Sequence, residues 1–281
     1  MRLKKSLTPF VLFVIGLMII TPVTAQEIGL QLYSLRNQMK EDTPGTLATI
    51  KSWGITKLEA GNGGTHGYSL EKYKDMLAKN NLEIVSVSSS FEELRDSPET
   101  VVQRAKDYGA KYAVCFWIPH TDTIFTIKET KMALEVFNRA GKKMKKAGIT
   151  LAYHPHGYEF RAYEDHTLMD HMIQNATDFE FEMDVYWFSY PGEDPMVWLH
   201  KYPERFKLMH LKDCEKGIKG DQSGISDVET NVVLGTGQID IAAIVGEAKK
   251  LGLEYLFIED ESSRVVEQVP ESIRFLKSLE E

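Results

Sequence analysis

The chain is expected to fold as an α/β protein, a single (β/α)8 TIM barrel, and three observations point there. Short apolar runs alternate with stretches of helical periodicity along most of the 281 residues, the pattern of parallel strands joined by long crossovers. Glu159, Asp184, His210 and Glu259 each stand at or just after the end of such a run, and in a closed parallel barrel the carboxyl ends of all strands converge on one mouth. From Gln26 onward no Pro-, Gly- or Ser-rich linker, fixed-period repeat or low-complexity tract divides the chain, so its length suits one large barrel domain.

The elements follow in order. Strands are expected near Ile28 to Tyr33, Thr56 to Glu59, Glu83 to Val87, Tyr112 to Trp117, Thr150 to His154, Glu180 to Asp184, Lys207 to Leu211 and Tyr255 to Glu259. Helices are expected near Pro44 to Ser52, Ser69 to Lys79, Pro98 to Tyr108, Lys128 to Lys146, His166 to Asn175, Pro195 to Lys201, Ile239 to Leu251 and Pro270 to Ser278. Several begin at a proline, whose fixed φ and missing amide proton suit a first helical turn. The longest connection, Lys212 to Gln238, leaves the same rim as the four polar residues. Its glycines at 217, 220, 224, 235 and 237 let it bend sharply, so it is expected to cover a substrate there.

Ahead of the barrel, residues 1–25 have the pattern of a signal peptide: Arg2, Lys4 and Lys5, an apolar stretch from Phe10 to Ile20, and small residues at Val23-Thr24-Ala25. The barrel domain would then be residues 26–281, exported and periplasmic. The apolar stretch is short for a bilayer span, so no stable membrane insertion is expected after its removal. Losing those three basic residues would take the net charge from −8 to about −11, a poor complement to a phosphate backbone, so no nucleic-acid partner is expected. Cys115 and Cys214 are the only cysteines; two buried thiols are the expectation, although an exported compartment would permit a bridge.

Three carboxylates and an imidazole on four consecutive strand ends form a mostly oxygen donor set. Such a set suits one divalent metal ion, Mn2+, Mg2+, Co2+ or Zn2+, better than copper. A metal with open positions can polarise a carbonyl and stabilise the charge left when the neighbouring carbon loses its proton. His154 and His156 flank Pro155 and, by strand alternation, can both face the mouth. His156 is the candidate substrate contact; for His154 a structural hydrogen bond is an equal alternative. Lys212 is a candidate oxyanion stabiliser or proton donor, with a salt bridge to Asp213 or Asp260 as the competing role. Tyr33, Trp117 and Trp187 are candidate platforms for a sugar face, against ordinary core packing. Gln31, Glu59 and His66 are further polar candidates.

The His-x-His-x-x-Glu-Phe run at His154 to Phe160, Asp-Val-Tyr-Trp at Asp184 to Trp187, His-Leu-Lys-Asp at His210 to Asp213, Gly-Thr-Gly-Gln-Ile-Asp at Gly235 to Asp240 and Ile-Glu-Asp at Ile258 to Asp260 resemble, in order and spacing, the xylose-isomerase-like barrels known broadly as sugar phosphate isomerases and epimerases. The resemblance runs from about Ile28 to the C-terminus. It implies one divalent metal on Glu159, Asp184, His210 and Glu259, with Glu159 and Glu259 also moving the proton. DNA-repair endonucleases share the barrel, but the acidic charge does not suit them. Two departures bear on substrate. Ketohexose epimerases of this kind carry a histidine where Trp187 stands and an arginine where Lys216 stands, and both grip substrate. The second metal of xylose isomerases proper finds no further ligands here.

The resulting expectation is a metal-dependent isomerase or epimerase that abstracts a proton alpha to the carbonyl of a non-phosphorylated keto-sugar. The alternatives are an elimination or hydration on a 3-keto-glycoside or keto-inositol, and a non-catalytic sugar-binding barrel. Export and the lack of a phosphate-cradling glycine loop favour a free sugar over a sugar phosphate.

Overall fold

A computed structural model describes residues 26–61 and 64–280; the signal peptide expected over residues 1–25 lies outside them. Eight strands close a barrel: β1 Glu27–Gln31, β2 Lys57–Glu59, β3 Glu83–Ser89, β4 Tyr112–Cys115, β5 Thr150–Tyr153, β6 Glu180–Asp184, β7 Phe206–Leu211 and β8 Tyr255–Ile258. Each pairs in parallel with the next, and β8 closes on β1 through Glu27↔Tyr255 to Leu30↔Ile258.

Alternation along the strands separates two cores. Side chains on the outward face pack under the helices, whereas Val85, Val114, Ala152, Leu208, Tyr255 and Phe257 fill the barrel itself. The Phe257 ring has its space because β1 carries glycine opposite it: a Cβ on Gly29 would stand 2.6 Å from that ring. Above this apolar floor the same inward alternation turns polar, with Glu59, Glu182 and His210 buried inside the barrel.

The helices Thr43–Ser52, Leu70–Lys79, Pro98–Tyr108, Ile127–Lys146, Leu168–Asn175, Pro195–Lys201, Ile241–Leu251 and Val265–Ser278 form the outer layer. The last begins five residues before the proline expected to start it. Pro270 is tolerated inside because the bond it cannot donate would go to the carbonyl of Val266, an exposed residue. Short helices at Arg36–Glu41, Phe91–Asp96 and Val185–Ser189 are additional. The second is entered by a capping box between Ser90 and Glu93. Among the described residues no helix is long and apolar enough to cross a membrane. Cys115 and Cys214 are free and buried, and burial pushes their thiols up to about 12 and about 11.

The connection after β7 is stapled to the barrel rim. Asp213–Cys214 pairs antiparallel with Asn231–Val232. The Asp213 carboxylate accepts the amides of Cys214 (2.9 Å), Gly235 (3.0 Å), Gly237 (3.0 Å) and Ile239 (3.2 Å). That accounts for the Gly-Thr-Gly stretch, since a Cβ on Gly237 would collide with this carboxylate. Farther along, Arg161 donates to the Gln222 carbonyl (2.9 Å) and the Gln222 side chain to the Phe160 carbonyl (3.1 Å), so the connection lies across the mouth.

Candidate active site

At the carboxyl ends of the strands the donor atoms of His154, Asp184, His210 and Glu259, all buried, lie within 4.8 Å of one another. His154 follows β5, Asp184 ends β6, His210 lies in β7 and Glu259 follows β8. His154 Nε2 is 3.3 Å from Asp184 Oδ2; His210 Nδ1 is 2.9 Å from Glu259 Oε2 and 3.9 Å from Asp184 Oδ2. Asp184 divides its work: Oδ1 accepts the amides of Tyr186 (2.8 Å) and Trp187 (3.1 Å) at the start of the helix that follows, leaving Oδ2 for the centre.

Three of the four expected ligands are therefore brought together, and Glu159 is not among them. His154 takes its place. Pro155 and Gly157, which adopts φ 97°, turn the chain back after β5. The Glu159 carboxylate then meets the hydroxyl of Tyr153 and the amides of His156 (3.1 Å) and Gly157 (3.0 Å) instead of the mouth. The corrected set, two imidazoles and two carboxylates, fits a divalent cation. With two nitrogens it suits Zn2+, Co2+ or Mn2+ better than Mg2+, which prefers all-oxygen surroundings.

The charges around the centre are arranged by burial and by one another. Burial raises the Asp184 carboxyl to about 6 in the metal-free protein. Burial opposes ionisation of Glu259 too, but Lys212 and His210 hold it well below the usual carboxylate range. Lys212 is also buried; burial works against its charge, and the Glu259 and Glu261 carboxylates outweigh it. Its Nζ lies 2.5 Å from Glu261 and 3.9 Å from Glu259, over the rings of Tyr186 and Trp187. The salt bridge expected as its competing role exists, with Glu261 as partner in place of Asp213 or Asp260.

A cavity of about 440 Å³ opens above the centre. His154, His156 and Glu259 reach it, as do Gln31, Tyr33, Trp117 and Trp187. Lys212 does not line it and instead braces Glu259 from behind. Trp117 and Tyr33 are 49% and 38% exposed, open platforms for a ligand, whereas Trp187 is buried against His156 at 5.4 Å between ring centroids. Ile225 and Ser226 of the long connection complete the rim. The Nδ1 of His156 is buried without a partner, and burial holds this imidazole well below its ordinary pKa. His66 stays outside this cavity.

Sequence reasoning passed over Glu182 and undervalued Glu59 and His154. A signal for Glu182 was present: it stands two residues before Asp184 and so shares its strand face.

Fold and site together define a closed parallel barrel with a buried polar centre at the carboxyl ends of its strands. The chain belongs to the xylose isomerase-like TIM barrel family, whose model matches residues 47–279. Its similar proteins include an inosose dehydratase of Clostridium perfringens, 27% identical over 205 residues, or 69% of this chain and 63% of that protein. An inosose dehydratase of Clostridium tetani is 26% identical over 52% of this chain and 44% of that protein. The chain thus spans less than two thirds of the length of these curated relatives. Among solved structures, a sugar phosphate isomerase/epimerase from Parabacteroides distasonis superposes with a TM-score of 0.73 at 24% identity, covering 92% of this chain and 98% of that one. The IolI protein with a bound zinc atom superposes at 0.69 and 13% identity, covering 91% and 96%. At these identities the two structures establish the shared fold.

Proposed function

We propose that this enzyme is a metal-dependent lyase that removes the proton alpha to the carbonyl of a non-phosphorylated keto-sugar, keto-glycoside or keto-inositol and expels the oxygen substituent from the next carbon. The carrying observation is the orientation of Glu159. Epimerisation by a carboxylate pair needs two carboxylates free to move a proton at the mouth; Glu159 faces Tyr153 and two backbone amides, and Glu261, which does line the cavity, is tied to Lys212 at 2.5 Å. His156 is the group best placed to move a proton: it reaches the cavity, its Nδ1 is unpartnered where Glu261 is held by Lys212, and burial keeps it neutral and able to accept.

His154, Asp184, His210 and Glu259 would hold the cation, which when bound polarises the substrate carbonyl. His156 takes the proton from the alpha carbon. The C–H electron pair becomes the new C=C as the C–O bond of the beta carbon breaks, and His156 returns the proton to the departing oxygen. Water or an alcohol leaves, and no oxidant or reductant is consumed. Lys212 and Glu261 keep Glu259 in place, while the aromatic rim limits the access of water. Relatives named as dehydratases support elimination, and the signal pattern at residues 1–25 supports a periplasmic location and a free sugar.

The test is NMR in deuterated water with keto-inositol and 3-keto-glycosides, the protein being loaded with Zn2+, Co2+, Mn2+ or Mg2+ in turn. Expected are an unsaturated ketone and released water or aglycone, loss of turnover with chelator, and the weakest support from Mg2+. His156→Gln should lower kcat by roughly 10²- to 10⁴-fold with metal affinity retained. An intact isomer as product would replace elimination by isomerisation, and full activity in His156→Gln would remove its role.

A further inference from the structure

We infer that Glu59, inside the barrel on the side of His210 remote from the cavity, is a positioning residue that fixes His210 as a ligand by holding its Nε2–H. The inference rests on the metal reading of His154, Asp184, His210 and Glu259. Glu59 is fully buried, reaches neither substrate nor cavity, and stands 2.6 Å from His210 Nε2 through its Oε2. The opposite edge of the same imidazole, Nδ1, faces Glu259 and Asp184. A neutral imidazole has one N–H. Donated to Glu59, it leaves the Nδ1 lone pair directed at the other three ligands, the tautomer a metal site requires.

Glu59 is itself locked. Its Oε1 accepts from Ser86 Oγ (2.6 Å), and its Oε2 accepts from Gln31 Nε2 (3.0 Å) as well as from His210. The strand register accounts for this row, since Gln31 pairs with Glu59 and Glu59 with Ser86 across β1, β2 and β3. Three donors converge on one side chain, a demand a carboxylate meets and an amide, with a single acceptor oxygen, does not. Gln31 in turn accepts the Tyr33 amide (3.1 Å) and reaches the cavity wall, so the row is anchored at both ends. Glu182 closes the remaining side at 3.3 Å from the same Nε2, while Phe116 and Phe257 flank the ring with centroids at 6.1 and 6.2 Å. Little freedom is left for the imidazole to flip.

Zn2+ affinity of the whole protein, measured by competition with a fluorescent chelator, tests the assignment without reference to turnover. Glu59→Gln should weaken binding by about 10- to 100-fold. Histidine-labelled NMR of the Zn2+-loaded protein should show His210 as the Nε2–H tautomer in the wild type and a mixture in the variant. Should Glu59→Gln not fold, as judged by circular dichroism of the metal-free protein, Ser86→Ala carries the test; it removes one anchor, keeps the charge, and should weaken Zn2+ in the same direction by a smaller factor. Affinities of the folded variants within about twofold of the wild type, or an Nδ1–H tautomer in the Zn2+-loaded wild type, would overturn the positioning role. A wild type that binds no Zn2+ would overturn the metal reading and this inference with it.

Discussion

Burial pushes the Glu159 carboxyl up to about 7, against the opposing pull of the Tyr153 hydroxyl and the backbone amides it accepts. The folded protein therefore binds a proton that the unfolded chain, with an ordinary glutamate, has already lost at the same pH. A raised carboxyl pKa means stability that is lost as pH rises from the unfolded value near 4.5 to the folded value. Glu159→Gln lacks that proton, so its stability relative to the wild type should improve by about 2 kcal/mol between pH 5 and pH 8, read from denaturant melts of the metal-free proteins. A gap that does not move with pH would mean that Glu159 is ionised at little cost. Because its carboxylate braces the turn that carries His154 and His156, the substitution should also leave Zn2+ bound and turnover within roughly tenfold of the wild type, where loss of an acid–base residue would cost more. The sequence placed this glutamate among the ligands because the direction of the Pro155–Gly157 turn is not a local property. The spacing held one signal: His154, like Asp184 and Glu259, ends its expected strand, whereas Glu159 stands five residues beyond.

Element positions, by contrast, were legible nearly throughout, since alternation and helical periodicity are written in neighbouring residues. All eight strands and the eight principal helices lie where the pattern puts them, with the first turn of the last helix the main shift. The long connection after β7 was legible as an element at the rim, but its means of attachment was not, because it depends on one side chain meeting amides more than twenty positions away. Asp213 is buried and accepts four backbone N–H groups, so Asp213→Ala leaves all four without this acceptor, those of Cys214 and Ile239 in buried positions. The expected loss is about 3 kcal/mol, with faster proteolysis confined to the 215–230 segment. Ile225 and Ser226 of that segment wall the cavity, so KM should rise more than kcat falls, while Zn2+ affinity stays unchanged. An unchanged proteolytic pattern would show that other contacts hold the connection.

Across the whole molecule, closure of the barrel converts distant positions into one centre, and the register of each strand decides which side chains share a layer. That is why His154 and Glu59 join the site: the sequence marks both only as candidates, and it is the pairing of their strands with neighbours that sets the layer each occupies. The same closure leaves a second cavity beside the first. It measures about 790 Å³, shares Gly61, Phe116 and Trp117 with the mouth, and carries Ser88, Ser89, Gln103 and Arg104 on its wall. One sugar ring fits the mouth; an extended leaving group would continue past Trp117 into the neighbouring space, where hydroxyl, amide and guanidinium groups can meet further sugar hydroxyls. A 3-keto-disaccharide should therefore be processed with kcat/KM about tenfold or more above that of a single-ring keto-inositol, as remote binding energy is used in the transition state. Trp117→Ala should erase most of that preference while changing the single-ring substrate much less. Equal efficiency for both substrates in the wild type would show that the second cavity takes no part in binding, even if elimination itself is observed; turnover of neither would instead count against the proposed reaction.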